Sequence, residues 1–352
     1  MSDVISKIQK NCPGWLSGNG PDSDIVISSR ARLARNLHGF PFVDRLDEKQ
    51  RKDVLDRILE ASRETAALNL CRFVALDILD SQERRFLVER RLISPDLGEC
   101  TKATGFLYGL DEKTGIMIHE EDHVRIGVLE SGFSLEAVWN RIRKIDGELA
   151  EHLEYAYSDR FGYLTACPTN VGTGIRFSVF LHLPILTFSK ALDGLFEETI
   201  PAGIAVRGFY GEGSQAVGNL FQISNQYTLG WTEQGILTRV LPLIRRFIDR
   251  ERGARERIMN ERRVGVEDMV YRALGVLTHA RILTSMEWLG LWSALRLGVE
   301  TNLLPWREPS LFNELMVITE PAHLRQSEGR VLTEEEMDIR RAALVREKLS
   351  FA

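Results

Sequence analysis

A chain of 352 residues is long enough for two domains and a substantial core. Its net charge of −5 gives no support for bulk nucleic-acid binding, so any anion site has to be local. No apolar run approaches the roughly 18 residues of a membrane helix, and the four cysteines stand apart without a CxxC pair. These features exclude a zinc ribbon or redox pair as a reading and point to the cytoplasm. Of the 45 basic residues 36 are arginine, a bias that genome composition explains more simply than function.

In chain order, residues 1–23 read as a turn-rich lead that Trp15 pins to the body. Residues 24–30 read as a short strand running into a polar end. Arg30, Arg32 and Arg35 follow within six positions and read as a solvated basic helix start, or else Arg30 and Arg32 are forks for phosphate oxygens. A helical spacing occupies 46–69 through Val54, Leu55, Ile58 and Leu59. A strand at 73–79, a helix at 83–91 and two strands at 105–110 and 115–119 about a turn come next. Ser134 is expected to cap a helix that runs to 153. Strands are predicted at 177–183, 204–207 and 219–226, and helices at 186–195 and 233–252. The Arg- and Glu-rich stretch 251–263 then marks a boundary. Beyond it the pattern is helical throughout, with Val266, Val270, Ala273 and Leu277 on one face, Trp288 and Trp292 on the next helix, and a break at 302–309. A final helix at 334–349 is capped by Thr333.

The segment His119-Glu120-Glu121-Asp122-His123 matches the zinc-protease signature HExxH. That chemistry needs a helix, so that histidines at i and i+4 share one face. Here Ile116-Met117-Ile118 precedes and the alternating Val124-Arg125-Ile126-Gly127-Val128 follows, so a strand–turn–strand setting is expected and zinc is disfavoured.

The stretch with the most chemistry is Ala166-Cys167-Pro168-Thr169-Asn170-Val171-Gly172-Thr173-Gly174-Ile175-Arg176. Pro168 fixes the chain direction beside a thiol, two glycines allow tight turning, and Arg176 opens an alternating strand. This string resembles the cysteine loop of the phosphagen kinases, the ATP:guanido phosphotransferases, typically written CPSNLGTGLR. Four more segments match that family in the same order: Ile27-Ser28-Ser29-Arg30-Ala31-Arg32, Glu120-Glu121-Asp122-His123-Val124-Arg125, Arg207-Gly208-Phe209-Tyr210-Gly211-Glu212 and Ile223-Ser224-Asn225. Neither a Walker loop nor the HRD and DFG motifs of protein kinases occur.

The resemblance implies an α+β fold, a phosphagen-kinase-type antiparallel sheet flanked by helices, plus a C-terminal all-helical domain. It implies a lead at 1–23, a catalytic domain at 24–254 and a helical regulatory domain at 255–352. It also implies ATP with Mg2+ as cofactors, the metal held largely by phosphates and water. Arg30, Arg32, Arg125, Arg176 and Arg207 match the family's phosphate-clamping arginines, and Ile27, Ser28, Ser29, Ala31, Gly208 and Gly211 lie in the same nucleotide motifs. Glu121 and Glu212 match the carboxylates that orient and deprotonate a guanidinium, with Cys167 beside the acceptor.

With its Ser-Ser-Arg motif starting at residue 28, the chain is expected to lack the N-terminal helical domain that metabolic phosphagen kinases carry. With the C-terminal extension, this is similar to the bacterial protein-arginine-kinase branch of the family. That branch implies arginine-bearing protein substrates, including a CtsR-type repressor and clients of a Clp protease, an activator of the McsA type, and a possible homodimer. It also implies a phosphoarginine pocket, here Asp338, Arg341 and Ala342, with Met337 standing where the branch's RDxxRA motif has its first arginine. A small-guanidine kinase and a catalytically silent phosphoarginine adaptor are the alternative readings.

Overall fold

The computed structural model describes residues 3–100, 104–199, 201–208, 217–306 and 309–350. After a short helix α1 (Asp3–Gln9), the β-branched run Ile25-Val26-Ile27 starts strand β1, Val26–Arg35. Helix α2 (Glu48–Glu64) follows, opened by a capping box in which Asp47 and Gln50 bond each other's backbone. Next come β2 (Cys71–Ala75), α3 (Ser81–Glu89), α4 (Pro95–Glu99), β3 (Gly105–Gly109), β4 (Thr114–Ile118) and β5 (Val124–Ser131). Helix α5 (Leu135–Ala150) leads to a two-stranded hairpin, β6 (Tyr157–Ser158) and β7 (Gly162–Tyr163), then β8 (Ile175–His182). Helices α6 (Pro184–Phe188) and α7 (Leu192–Thr199) precede β9 (Ile204–Gly208) and β10 (Leu220–Asn225).

Eight strands form one sheet in the order β2-β3-β4-β5-β1-β8-β10-β9, and every pairing is antiparallel. β1 is central, paired to β5 on one side and β8 on the other. That double pairing carries it five residues past its expected end at Arg30, so Arg32 and Arg35 lie in a strand and not in a solvated helix start. One face of the sheet is covered by α5, whose Leu135, Val138, Ile142, Ile145 and Leu149 form a stripe at helical spacing. The long helix α8 (Glu233–Glu261) continues that cover, presenting Ile236, Val240, Ile244, Phe247 and Ile248 to the core. Each such side chain contributes about 1.5–3 kcal/mol on burial before entropic costs. Truncating Ile142 alone, at 0% exposure, would cost about 2–5 kcal/mol.

Local chemistry explains several departures from the expected boundaries. β2 stops at Ala75, where Leu76–Ile78 tightens into a 3-10 turn. Ser134 stands at the start of α5 but makes no side-chain cap; its hydroxyl donates to Ser131 O at 2.9 Å. The helix expected at 186–195 is two helices, broken where Lys190 takes φ 55. The β6–β7 hairpin, too short for a periodicity signal, was not anticipated.

Helix α8 accepts Pro242 and runs through residue 254 without a break. It is followed by α9 (Arg263–His279), α10 (Ser285–Glu300), α11 (Pro309–Ile318), α12 (Pro321–Glu328) and α13 (Glu334–Ser350). Thr333 does cap α13, in a reciprocal box with Glu336. Trp292 and Leu295 of α10 belong to the same buried cluster as Val179 and Phe247, so the C-terminal helices share the sheet's core. A second cluster packs α1, α3 and Ala322 of α12 against Phe106, Tyr108 and Met117 on the other face of the sheet.

Candidate active site

Residues opposite one another in an antiparallel pair share a face of the sheet. Arg32 faces Arg176, and Arg30 faces Ser178. Ala34 faces Arg125 across β5, two residues along from Arg32 on the same side. Phe180 faces Gln222, which in turn faces Arg207. The register therefore places Arg30, Arg32, Arg125, Arg176 and Arg207, drawn from four strands, on the face opposite α5 and α8. Ser28 joins them. Alternation along β1 sends Ile27, Ser29 and Ala31 to the other side, where Ile27 and Ala31 are fully buried. Ser29 donates from Oγ to Gly132 O at 2.8 Å and accepts from Ser134 N, which ties the strand to the start of α5.

The arginine face opens into a shallow concavity lined by Ser28, Arg30, Arg91, Leu129, Phe180 and Gln222, among others. Burial and then the charges of Arg125 and Arg91 push the pKa of Arg30 down to about 9. Burial and then Arg30, Arg125 and Arg176 lower that of Arg32 further. Guanidinium does not give up its proton at neutral pH, so these directions mark cations that are held first by burial and then by one another in an unfavourable setting, which a polyanion would relieve. The Nε atoms of Arg30 and Arg32 are buried without a hydrogen-bond partner among the described residues. Arg125 is paired with the buried carboxylate of Glu120. Burial raises the pKa of Glu120, but Arg125 and hydrogen bonds outweigh it and hold the group below its usual range. Such a face fits a nucleotide polyphosphate, with bidentate forks for its oxygens.

The cysteine loop sits where β8 meets this face. Cys167 is half-buried, with Sγ 3.0 Å from Thr169 Oγ1. Its carbonyl accepts from Thr165 Oγ1 at 2.8 Å and Asn170 N at 3.0 Å. Gly174 has φ 66, and a Cβ there would stand 2.6 Å from Ala34 O, so only glycine lets the loop lie against β1. Thr228 braces the loop, donating to Val171 O and Thr169 O at 2.7 and 2.9 Å.

Asp122 ties this loop to the segment that carries Glu121. Its Oδ1 accepts from Ala166 N at 2.7 Å and from Asn36 Nδ2 at 2.6 Å. Glu121 is exposed beside it, one residue from the tether, as Cys167 is on the other side. Asn36 completes the network by accepting from His123 N at 2.9 Å and donating to Leu164 O at 3.1 Å. Asp122 was visible in the matched motif without a role, whereas Asn36 and Thr228 carry no local signal. His123 accepts from Leu37 N at 3.0 Å through Nδ1 and meets Pro41 O at 2.9 Å through Nε2. The HExxH string is the loop between β4 and β5, as its flanking alternation predicted, and both nitrogens of His123 are taken. Gly208 ends β9 opposite Phe221, while Gly211 and Glu212 lie outside the described residues. Arg35 does not join the arginine face: it forks onto Asp146 at 3.1 and 2.8 Å and lies under the Tyr163 ring at 3.5 Å.

Asp338, Arg341 and Ala342 stand together on α13. Arg341 is 1% exposed and donates to Thr319 O at 3.1 Å, Leu283 O at 2.7 Å and the Asp338 carboxylate. Met337 packs with Leu324 and Leu332, Ala342 is in the main core, and Arg340 pairs with Glu328 at 2.7 Å.

Residues 53–254 match the family described as ATP:guanido phosphotransferase, C-terminal catalytic domain. That is more than half of the chain, and the chain belongs to this family. Residues 263–352 match the protein-arginine kinase McsB C-terminal domain. Among similar curated proteins, the protein-arginine kinase of Halothermothrix orenii is 42% identical over 343 residues, 97% of this chain and 98% of that one. That of Moorella thermoacetica is 43% identical over 339 residues, 96% of this chain and 97% of that one. A solved duplicated taurocyamine kinase from Schistosoma mansoni, with bound transition state analog components, superimposes with TM-score 0.60 at 26% identity. The match covers 70% of this chain and 35% of that one. A lombricine kinase structure agrees in fold, with TM-score 0.58 at 23% identity over 71% of this chain and 75% of that one. No helix among the described residues is long and apolar enough to cross a membrane.

Proposed function

We propose that this chain is a protein-arginine kinase that transfers the terminal phosphoryl group of ATP to the guanidinium of arginine side chains in proteins. The observation that supports it most is the sheet face of five arginines ending at the Cys167 loop, in a chain that aligns over nearly its full length with curated protein-arginine kinases. Arg30, Arg32, Arg125, Arg176 and Arg207 grip the phosphates, and ATP binding relieves their mutual repulsion. Mg2+ suits this arrangement as an ion held by phosphate oxygens and water, because among the described residues no cluster of three or more His, Cys, Asp or Glu could hold a metal.

The transfer forms an N–P bond to the acceptor guanidinium and breaks the bond from the γ-phosphorus to its bridging oxygen, so ADP leaves. The acceptor proton passes to a carboxylate, Glu121 or Glu212, while Cys167 helps orient the guanidinium. Since phosphoryl transfer is mainly positioning and charge stabilisation, this fixed cage can carry much of the rate.

The same reading places the protein in the cytoplasm, acting on a CtsR-type repressor and Clp-protease clients with a McsA-type activator and a possible homodimer. A phosphoarginine site at Asp338, Arg341 and Ala342 belongs to it as well, and requires Arg341 to exchange Thr319 O and Leu283 O for phosphate oxygens. Calorimetry with free phosphoarginine checks that part: heat in the wild type that disappears in Arg341→Ala supports it, and no heat sinks it.

The main test incubates the protein with ATP, Mg2+ and either a basic protein or free arginine, and looks for phosphoarginine by mass spectrometry without acid. Label on the protein alone supports the proposal. Label on free arginine alone would make this a small-guanidine kinase, and label on neither would refute both.

A further inference from the structure

The Cys167 loop touches two short segments through Gly172. One is the β6–β7 hairpin. Tyr163 and Gly172 exchange backbone bonds, Tyr163 N donating at 2.8 Å and Gly172 N at 3.2 Å. Gly162 has φ 76, and a Cβ there would stand 2.6 Å from Gly172 O, so hairpin and loop meet backbone to backbone. The other segment is the connection from β10 to α8. A Cβ on Gly172, which has φ 108, would stand 2.6 Å from Thr228 O and 2.8 Å from Leu229 Cα.

Both segments leave large apolar side chains in solvent. Tyr157 and Phe161 of the hairpin and Tyr227, Leu229 and Trp231 of the connection are each 43–60% exposed. Exposed apolar residues scattered singly are ordinary, whereas five on the two neighbours of one loop form a surface suited to a partner. The surface is edged with cations: Arg160 lies over the Phe161 ring at 4.9 Å and Arg239 over the Trp231 ring at 3.4 Å. What covers it follows from the acceptor. When the guanidinium beside Cys167 belongs to a polypeptide, the residues before and after that arginine have to cross the neighbours of the Cys167 loop. Free arginine has no such residues.

Resting on the kinase reading above, we infer that the β6–β7 hairpin and the β10–α8 connection are the docking surface for the substrate polypeptide, taking apolar side chains next to the acceptor arginine. Arg160 and Arg239 repel basic neighbours, so the surface selects an arginine set among apolar residues over one in a run of cations. The contacts lie outside the reacting atoms, and their effect falls on capture of the polypeptide and not on nucleotide binding.

The test measures kcat/KM of the full-length chain, with ATP and Mg2+, on three peptides that differ only in the residues flanking one central arginine: leucine, serine or lysine. The expected order is leucine, then serine, then lysine, with roughly ten-fold between the first two. Phe161→Ser and Leu229→Ser remove one exposed side chain from each segment. Each should lower kcat/KM on the leucine peptide several-fold, mainly through KM, and leave the serine peptide, ADP Kd and melting temperature unchanged. Val264→Ser, an exposed apolar position on α9, is the control and should change nothing. Equal rates on leucine and serine peptides in the wild type, or the highest rate on lysine, overturn the inference. So does a loss in both variants that is the same on every peptide, which is what a merely structural role gives, or a selective loss in Val264→Ser. A wild type that labels the peptides without preference removes only this inference. If no peptide or protein is labelled at all, the kinase reading itself falls, and this inference with it.

Discussion

Cys167 shows what one side chain is asked to do. Its sulfur is held by Thr169 at 3.0 Å, and in the proposed reaction it stands on the acceptor side, apart from the arginines proposed to grip phosphate. Cys167→Ser keeps a hydrogen-bonding group of similar size but loses the sulfur. Turnover is expected to fall on the order of 100-fold with ADP affinity nearly intact, measured by steady-state kinetics and calorimetry. Loss of ADP binding would make Cys167 a packing residue. Glu121→Gln belongs with it: the amide neither pairs with a guanidinium nor accepts its proton, so a near-normal rate would remove Glu121 from the chemistry.

Among the elements, the loop between β4 and β5 and the cysteine loop act as a unit through Asp122. Asp122→Ala leaves Ala166 N and Asn36 without their acceptor, costing about 1–3 kcal/mol each. Turnover should drop on the order of 100-fold because the two reacting-side loops lose registration, while the sheet keeps its nucleotide affinity. His123 gives the same unit a pH limit. Burial, then the charges of His119 and Arg51, lower its pKa to about 4, and the bond from Leu37 N requires the neutral ring. A depressed folded-state pKa means the unfolded chain binds the proton more readily. This contribution is therefore complete above about 6.5 and is lost as pH falls toward 4, up to about 3 kcal/mol in total. Melting curves between pH 7.5 and 5 should show the loss, and a His123→Gln variant should show less of it. Equal slopes would assign the acid sensitivity elsewhere.

Over the whole molecule, the C-terminal helices dock through Trp288 and Trp292 in the main core, through Asn313 and Arg296 onto the carbonyls of Leu16 and Ser23, and through Glu89 at the start of α12. Replacing Glu89 by alanine leaves the first-turn amides of α12 and the His323 ring without their acceptor in a buried setting. Hydrogen exchange at 321–328 should accelerate by roughly 10- to 100-fold, corresponding to about 1–3 kcal/mol, while amides of β1 and β8 stay protected. Uniform acceleration across the sheet would mean that the molecule opens only as one unit.

By itself the chain's sequence determined the chemistry. The ordered motifs, the absence of a Walker loop and the alternation around His119–His123 pointed to the ATP:guanido phosphotransferase family, because those signals are local in residue type and spacing. The antiparallel sheet and the C-terminal helices were likewise readable from periods of 2 and 3.6. Tertiary structure decided what spacing cannot encode. Arg30 and Arg32 are in a central strand only because β5 and β8 pair on both sides of it, an outcome that depends on partners about a hundred residues away or more. The same register sorts one motif onto two faces, sending Ser28, Arg30 and Arg32 to the arginine face and Ile27, Ser29 and Ala31 to the other. Arg341 looked like an open phosphate fork, yet the carbonyls of Thr319 and Leu283 take its donors, since buried carbonyls must be satisfied by whatever donor packing brings. Asn36 and Asp122 acquire their parts the same way, from segments that meet only when the sheet is complete.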